Sequence, residues 1–181
     1  MPRIHPIDPA TATGAVAAQL DGTRKALGSV PNLFTTAAQS PAAISALNGL
    51  FGALGKGALD GKTRERIAIA VAQSNGCEYC LSAHTALGSG HGLNAAELAA
   101  ARNGTASDPK AEATMALALA IVRTRGMVSD AELAAARMAG LTDAEIVEIV
   151  AHVALNVFTN YLNNVAHTDV DFPLVALASA A

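Results

Sequence analysis

Three stretches of the chain, Asn94-Ala-Ala-Glu97, Ser129-Asp-Ala-Glu132 and Thr142-Asp-Ala-Glu145, set a short polar side chain three positions ahead of a glutamate. In that arrangement the first side chain caps free N–H groups at a helix start, while the glutamate reaches back to the capping residue's own N–H. Ser40-Pro41 and Asp108-Pro109 add two more starts, each with proline at the first helical position, where its missing N–H costs nothing. Stops are marked by Gly55, Gly76, the Gly88-Ser-Gly-His-Gly92 cluster, Gly104, Gly126 and Gly140. Between these marks apolar residues recur at helical spacing, as in Ile67 and Val71, or Ile146, Val150, Val153 and Val157. No segment alternates with period two for long enough to argue a strand. The expectation is an all-α chain with helices near 10–27, 41–54, 62–75, 78–89, 94–103, 109–125, 130–139 and 143–166, and Val30-Pro-Asn-Leu-Phe34 as a connector.

At 181 residues the sequence fits one helical domain, 1–181, able to bury a core without disulfides or metal. Hydrophobic residues make up 51% of it but aromatics only 3%, so small aliphatic side chains supply the apolar surface and helices pack closely. Charged residues, at 15%, are too few to cover the outer faces. A homo-oligomer is therefore expected, with some apolar helix faces meeting other subunits.

The net charge of −3 comes with no basic run and no interleaved aromatics, which excludes the electrostatic footprint of a nucleic-acid binder. The first residues, Met1 to Pro9, are interrupted by prolines and lack the apolar core of a signal peptide. The longest uncharged stretch, Ile149 to Thr168, carries two His and four Asn, which is wrong for a membrane span. A cytoplasmic protein without membrane attachment is expected, and two cysteines three positions apart in a reducing compartment point to redox or metal chemistry.

Cys77, Cys80 and His84 fall within an arc of about 60° at roughly 100° per residue, so they share one helix face. Gly76 ends the preceding helix, which puts Cys77 at the start of the next and Cys80 in its first turn. There the helix dipole and unsatisfied N–H groups stabilise a thiolate, below the value of about 8.5 for a free thiol. Within a regular helix, Cβ atoms three residues apart stand about 5–6 Å from each other, while a disulfide wants about 3.8 Å. At a helix start the first cysteine is free to bend in, so a reversible Cys77–Cys80 disulfide is feasible. His84, four residues beyond Cys80, is placed to take the thiol proton or hand one to a departing oxygen. Glu65, on the preceding helix, reaches the imidazole if the two helices pack antiparallel across Asn75-Gly76.

Other readings stand beside this one. The cysteines with His84 and either Glu65 or His91 could bind zinc, although structural zinc sites usually draw on a distant second pair. Taken alone, Glu65 in Lys62-Thr-Arg-Glu-Arg66 reads as an exposed first-turn carboxylate favoured by the dipole, and His84 as a hydrogen-bonded core histidine. Further on, His152, Asn156, Asn160, Asn163, Asn164 and His167 recur near four-residue spacing on the last helix. They read as a polar seam between helices or subunits, as the lining of a pocket, or as the place that receives the partner reducing the disulfide.

The spacing Glu65, Cys77, Cys80, His84 resembles the signature of the alkylhydroperoxidase D-like group within the carboxymuconolactone decarboxylase family. The Val30 to Phe34 segment and the ending from Asn160-Tyr-Leu-Asn-Asn-Val-Ala-His167 to Asp171-Phe-Pro173 resemble its peroxidase-related branch. The resemblance implies an all-helical fold assembling into trimers or hexamers, and a hydroperoxide reductase that needs no bound cofactor. It implies Cys80 as the peroxidatic thiolate, Cys77 as the resolving thiol, and His84 with Glu65 as the proton relay. A hydroperoxide would be the substrate and a dithiol or protein reductant the partner. Tyr79 stands where mycobacterial-type members carry a histidine, which implies a simpler relay. The alternatives are lactone decarboxylation without the thiols, as in the family's namesake, and a redox- or zinc-responsive binding protein.

Overall fold

Every capping side chain read from the sequence engages its helix in the computed structural model, which describes residues 1–178. Ser40 accepts from the Ala43 N–H and Asp108 from the Ala111 N–H, and the boxes at Asn94, Ser129 and Thr142 close in both directions. Each such cap is worth about 1 kcal/mol. The helices are α1 (Gly14–Leu27), α2 (Asn32–Ala37), α3 (Pro41–Leu54), α4 (Gly61–Ser74), α5 (Glu78–Gly90), α6 (Ala95–Arg102), α7 (Pro109–Thr124), α8 (Asp130–Met138) and α9 (Asp143–Ala166). Among the described residues there is no strand, and the fold is all-α. No helix among them is long and apolar enough to cross a membrane.

Two expectations need correction. The first helix begins at Gly14 rather than near residue 10, because the Asp8 carboxylate holds the Ala10 N–H and the Asp8 carbonyl those of Thr11 and Ala12, folding residues 8–12 into a turn. The Val30 to Phe34 segment is also more than a connector. Pro31, with φ fixed at −61°, offers its carbonyl to the N–H groups of Phe34 and Thr35 and starts a six-residue helix. That helix is retained because Leu33, Phe34 and Ala37 enter the core.

Helix α4 is the centre of the fold, packed against α5, α6, α7 and α9. Its run Ile67-Ala-Ile-Ala-Val-Ala72 is buried all round, the mark of an interior helix. Ile69, Ala70 and Ala72 join a core cluster with Ile44, Leu47, Leu81 and Leu155. Ile67 and Val71 join a second with Leu117, Ile121, Ile149 and Val153. The surplus of apolar residues comes to the surface along α9, where Val147, Val150, Tyr161 and Val165 are exposed.

The α4–α5 turn follows from one glycine. Gly76 takes φ = +62°, a left-handed conformation, and the Cys77 N–H returns to the Ala72 carbonyl while the Gly76 N–H returns to that of Gln73. This closure reverses the chain so that α5 runs back along α4 and begins at Cys77.

Because Ile69 is fully buried between these layers, Ile69→Ala should lower unfolding free energy by about 2–5 kcal/mol in urea titrations. Val147→Ala, on the exposed face of α9, should change it by no more than about 0.5 kcal/mol.

Candidate active site

Cys77 itself caps α5: its Sγ accepts the Cys80 N–H at 3.3 Å, the interaction a serine or aspartate normally supplies. Both cysteines are free thiols, Cys77 with no exposure and Cys80 with 2%. One turn beyond Cys80, His84 Nδ1 lies 2.8 Å from Glu65 Oε2. The antiparallel packing of α4 and α5 thus brings Glu65, Cys77, Cys80 and His84 together. The exposed reading of Glu65 is overturned, since it lies on the wall between the two helices with 9% exposure. His91 lies instead against Gly61 at the start of α4. Among the described residues no group of three or more His, Cys, Asp or Glu side chains is arranged to hold a metal ion, so the zinc set is not assembled.

The polar residues of α9 divide between three tasks. Asn163 Nδ2 donates to Cys80 Sγ at 3.2 Å, and Thr159 Oγ1 stands 4.0 Å from the same sulfur. Asn160 and Asn164 clamp the α4–α5 turn: Asn75 Nδ2 donates to Asn160 Oδ1 at 2.9 Å, and Asn164 Nδ2 to the Asn75 carbonyl at 3.1 Å. His167 ends the helix in a left-handed conformation, φ = +50°, with its N–H donating to the Asn163 carbonyl. His152 and Asn156, at the other end of the seam, face a cavity. Asn163 belonged to the stripe read from the sequence, but Thr159 did not, and nothing in its local pattern marks it as a neighbour of the thiol.

Tyr79 does not replace an imidazole in any relay. Its hydroxyl accepts the Leu33 N–H at 3.1 Å, its ring meets Phe172 edge-on at 5.9 Å, and burial pushes its phenol up. It ties α5 to α2 and to the C-terminal segment.

The two thiols differ electrostatically. A hydrogen bond from the Cys77 thiol holds Cys80 as its thiolate, and although burial opposes this, the His84 charge and the Asn163 and Asn160 side chains draw Cys80 down to about 6. The same hydrogen bond, followed by burial, pushes Cys77 well up. Burial works against the His84 imidazolium, but the Glu65 carboxylate outweighs it and raises His84. The arrangement favours a thiolate at Cys80, a thiol at Cys77 that donates to it, and the charged form of His84 beside the Glu65 carboxylate.

Beside this group is a cavity of about 610 Å3 whose lining includes Tyr79, Ala83 and His84 of α5, Glu65 of α4 and His152 of α9. Neither cysteine is among its lining residues.

The carboxymuconolactone decarboxylase family matches over residues 39–124, a span that holds Glu65, Cys77, Cys80 and His84. No curated protein matches the chain. Among solved structures, a peroxidase-related protein from Ralstonia eutropha JMP134, described as an alkylhydroperoxidase AhpD core, is 26% identical with a TM-score of 0.81 over 94% of this chain and 92% of its own. A peroxidase-related protein from Silicibacter sp. TM1040 is 20% identical, with a TM-score of 0.78 over 92% of each chain. The debrominase Bmp8 in its apo form is 21% identical, with a TM-score of 0.79 over 93% of this chain and 92% of its own. A cysteine-to-alanine variant of that debrominase holds 2,3,4-tribromopyrrole. These last two proteins share the fold.

The environment of Cys80 should be readable by alkylation. Iodoacetamide should label it with a rate that climbs as pH rises through about 6 and then levels, because the thiolate is the reactive form. Cys80→Ser should remove this phase and leave Cys77 reacting only in alkaline solution. His84→Gln should move the midpoint upward, since it deletes a charge that favours the thiolate.

Proposed function

We propose that the chain, similar over residues 39–124 to the carboxymuconolactone decarboxylase family and along most of its length to an alkylhydroperoxidase AhpD core, is an alkylhydroperoxidase D-like member of that family and a thiol-dependent hydroperoxide reductase. The observation that carries this reading is the inequality of the two thiols. Cys80 is favoured as thiolate, with Cys77 beside it and His84 one turn on.

In the proposed cycle the Cys80 thiolate attacks the outer oxygen of a hydroperoxide. The O–O bond breaks, a Cys80 sulfenic acid forms, and the departing alkoxide takes a proton from the His84 imidazolium, leaving as an alcohol. Glu65, 2.8 Å from Nδ1, holds the ring in place and makes its charge affordable in a buried setting. The Cys77 sulfur then attacks the Cys80 sulfur, the S–O bond breaks, and water leaves with the Cys77 proton. An external dithiol supplies the two electrons and two protons that reopen the disulfide by thiol–disulfide exchange. Helix α5 favours this pairing because Cys77 is a cap, outside the regular helical turn.

Consumption of tert-butyl and cumene hydroperoxide with dithiol reductants tests the reading. Cys80→Ser should abolish turnover, and Cys77→Ser, with no thiol reductant present, should consume one equivalent of peroxide and leave a sulfenic acid that dimedone traps. His84→Gln should slow turnover by about 10²-fold or more, in the range of general acid catalysis. If wild type and Cys80→Ser consume peroxide equally slowly, the assignment fails; activity retained when both cysteines are replaced would favour chemistry without thiols, as in the family's namesake.

A further inference from the structure

The cavity beside the dithiol is far larger than a small peroxide needs. Its volume of about 610 Å3 falls in the range of roughly 300–1,000 Å3 typical of small-molecule sites. Leu27, Phe34, Phe51, Leu54, Leu155 and Phe172 give it apolar walls. Gly22 in α1 and Gly52 in α3 also line it, both inside helices, where glycine costs about 1 kcal/mol relative to alanine. A Cβ at either position would meet nothing within 4 Å. Both glycines are exposed, so they stand at the open side of the cavity, where a large side chain has room to lie across it.

The cavity wall also holds an unsatisfied polar group. His152 lines it at 5% exposure, and its Nε2 has no hydrogen-bond partner. An unpaired buried group of this kind costs about 1–3 kcal/mol, which a ligand's head group would recover. Burial first, and Arg64 second, lower the His152 imidazole, against the pull of Glu148 on its own helix and Glu65 across on α4, with His84 of α5 also acting against its charge. The ring is thereby favoured as neutral, with one nitrogen donating and the other accepting.

We propose that this cavity binds an apolar organic molecule with a single uncharged polar head group, and that His152 is the specificity residue which receives that head group. Under the hydroperoxide reductase reading, on which the identity of the occupant rests, the molecule is a bulky organic hydroperoxide in preference to hydrogen peroxide. The α9 seam leads from this site to the thiol: Asn156 Nδ2 donates to the His152 carbonyl at 2.8 Å, Thr159 Oγ1 to the Asn156 carbonyl at 3.1 Å, and Thr159 stands 4.0 Å from Cys80 Sγ. His152 acts by placing the head group, not by moving the reacting proton.

The test uses cumyl alcohol, the inert reduction product of cumene hydroperoxide, as a calorimetric binding probe, together with kcat/KM for cumene hydroperoxide and hydrogen peroxide. Gly52→Phe should weaken the probe by about tenfold or more, since the new ring competes with the probe for the space beside Gly52. The ratio of kcat/KM for cumene hydroperoxide over hydrogen peroxide should fall by a similar factor. His152→Leu should weaken the probe about three- to tenfold, the worth of one hydrogen bond, and act on KM for cumene hydroperoxide more than on kcat, with His152→Gln recovering part of the loss. Circular dichroism and melting temperature confirm that each variant folds. A folded Gly52→Phe that binds the probe as wild type does would overturn the cavity assignment, and an unaltered affinity in His152→Leu would overturn the role of His152. A probe that binds wild type and is lost in Gly52→Phe, in a chain that consumes no peroxide, would refute the reductase reading and leave the binding site standing.

Discussion

A carboxylate on the central, buried helix must find a partner, and much of the site follows from how Glu65 finds one. Removing a charge from water costs several kcal/mol unless an opposite charge or hydrogen bond offsets it. Glu65 lies on α4 with 9% exposure, and the partner at 2.8 Å is His84 on α5. That contact requires α5 to run antiparallel to α4 at close range, which the left-handed Gly76 and the Cys77–Ala72 backbone bond permit. The turn that satisfies Glu65 is also the turn that makes Cys77 a helix cap. One backbone reversal thus sets the carboxylate, the imidazole and both sulfurs in fixed relation, and Asn160 and Asn164 of α9 hold it from the far side.

Much of this was legible in the sequence because its signals are local. A capping box is a contact between residues three apart, and those at Asn94, Ser129 and Thr142 form as written. Cys77 at a helix start, with Cys80 and His84 on one face, likewise depends only on Gly76 and helical geometry. The signals that failed are those decided by distant packing. Helix α2 is too short to show a period, and it exists because Leu33 and Phe34 find a core. Glu65 carries two readings, a surface carboxylate from its charged neighbours and a partner of His84 across an antiparallel turn, and only the packing of α5 decides for the second. The stripe on α9 was visible as spacing, but its division between thiol, turn and cavity depends on which helix faces each residue.

The inequality of the cysteines is also a matter of contacts rather than of sequence position. Both sulfurs stand at the positive end of α5, so the helix dipole favours a thiolate at either. Two thiolates so close would repel, and one proton must stay between them. The neighbours decide which sulfur gives it up. Cys80 has the Asn163 amide as a donor and the His84 charge nearby, while the proton Cys77 donates to Cys80, together with its burial, outweighs the Cys80 N–H that would favour a Cys77 thiolate.

The same sulfur is nevertheless closed off. A thiolate open to water would be exposed to any oxidant in solution, whereas Cys80 is 2% exposed and outside the cavity lining. The cavity reaches the site through His84, Tyr79 and Glu65, so a molecule bound there meets the proton donor of the proposed cycle before it meets the sulfur. Tyr79 lines the same cavity, tied to the Leu33 N–H and packed on Phe172. Tyr79, where the resemblance to mycobacterial-type members implied a contrast with histidine, is thus a structural tie between α5, α2 and the C-terminal segment, and its contacts fix the α5 start that carries both sulfurs.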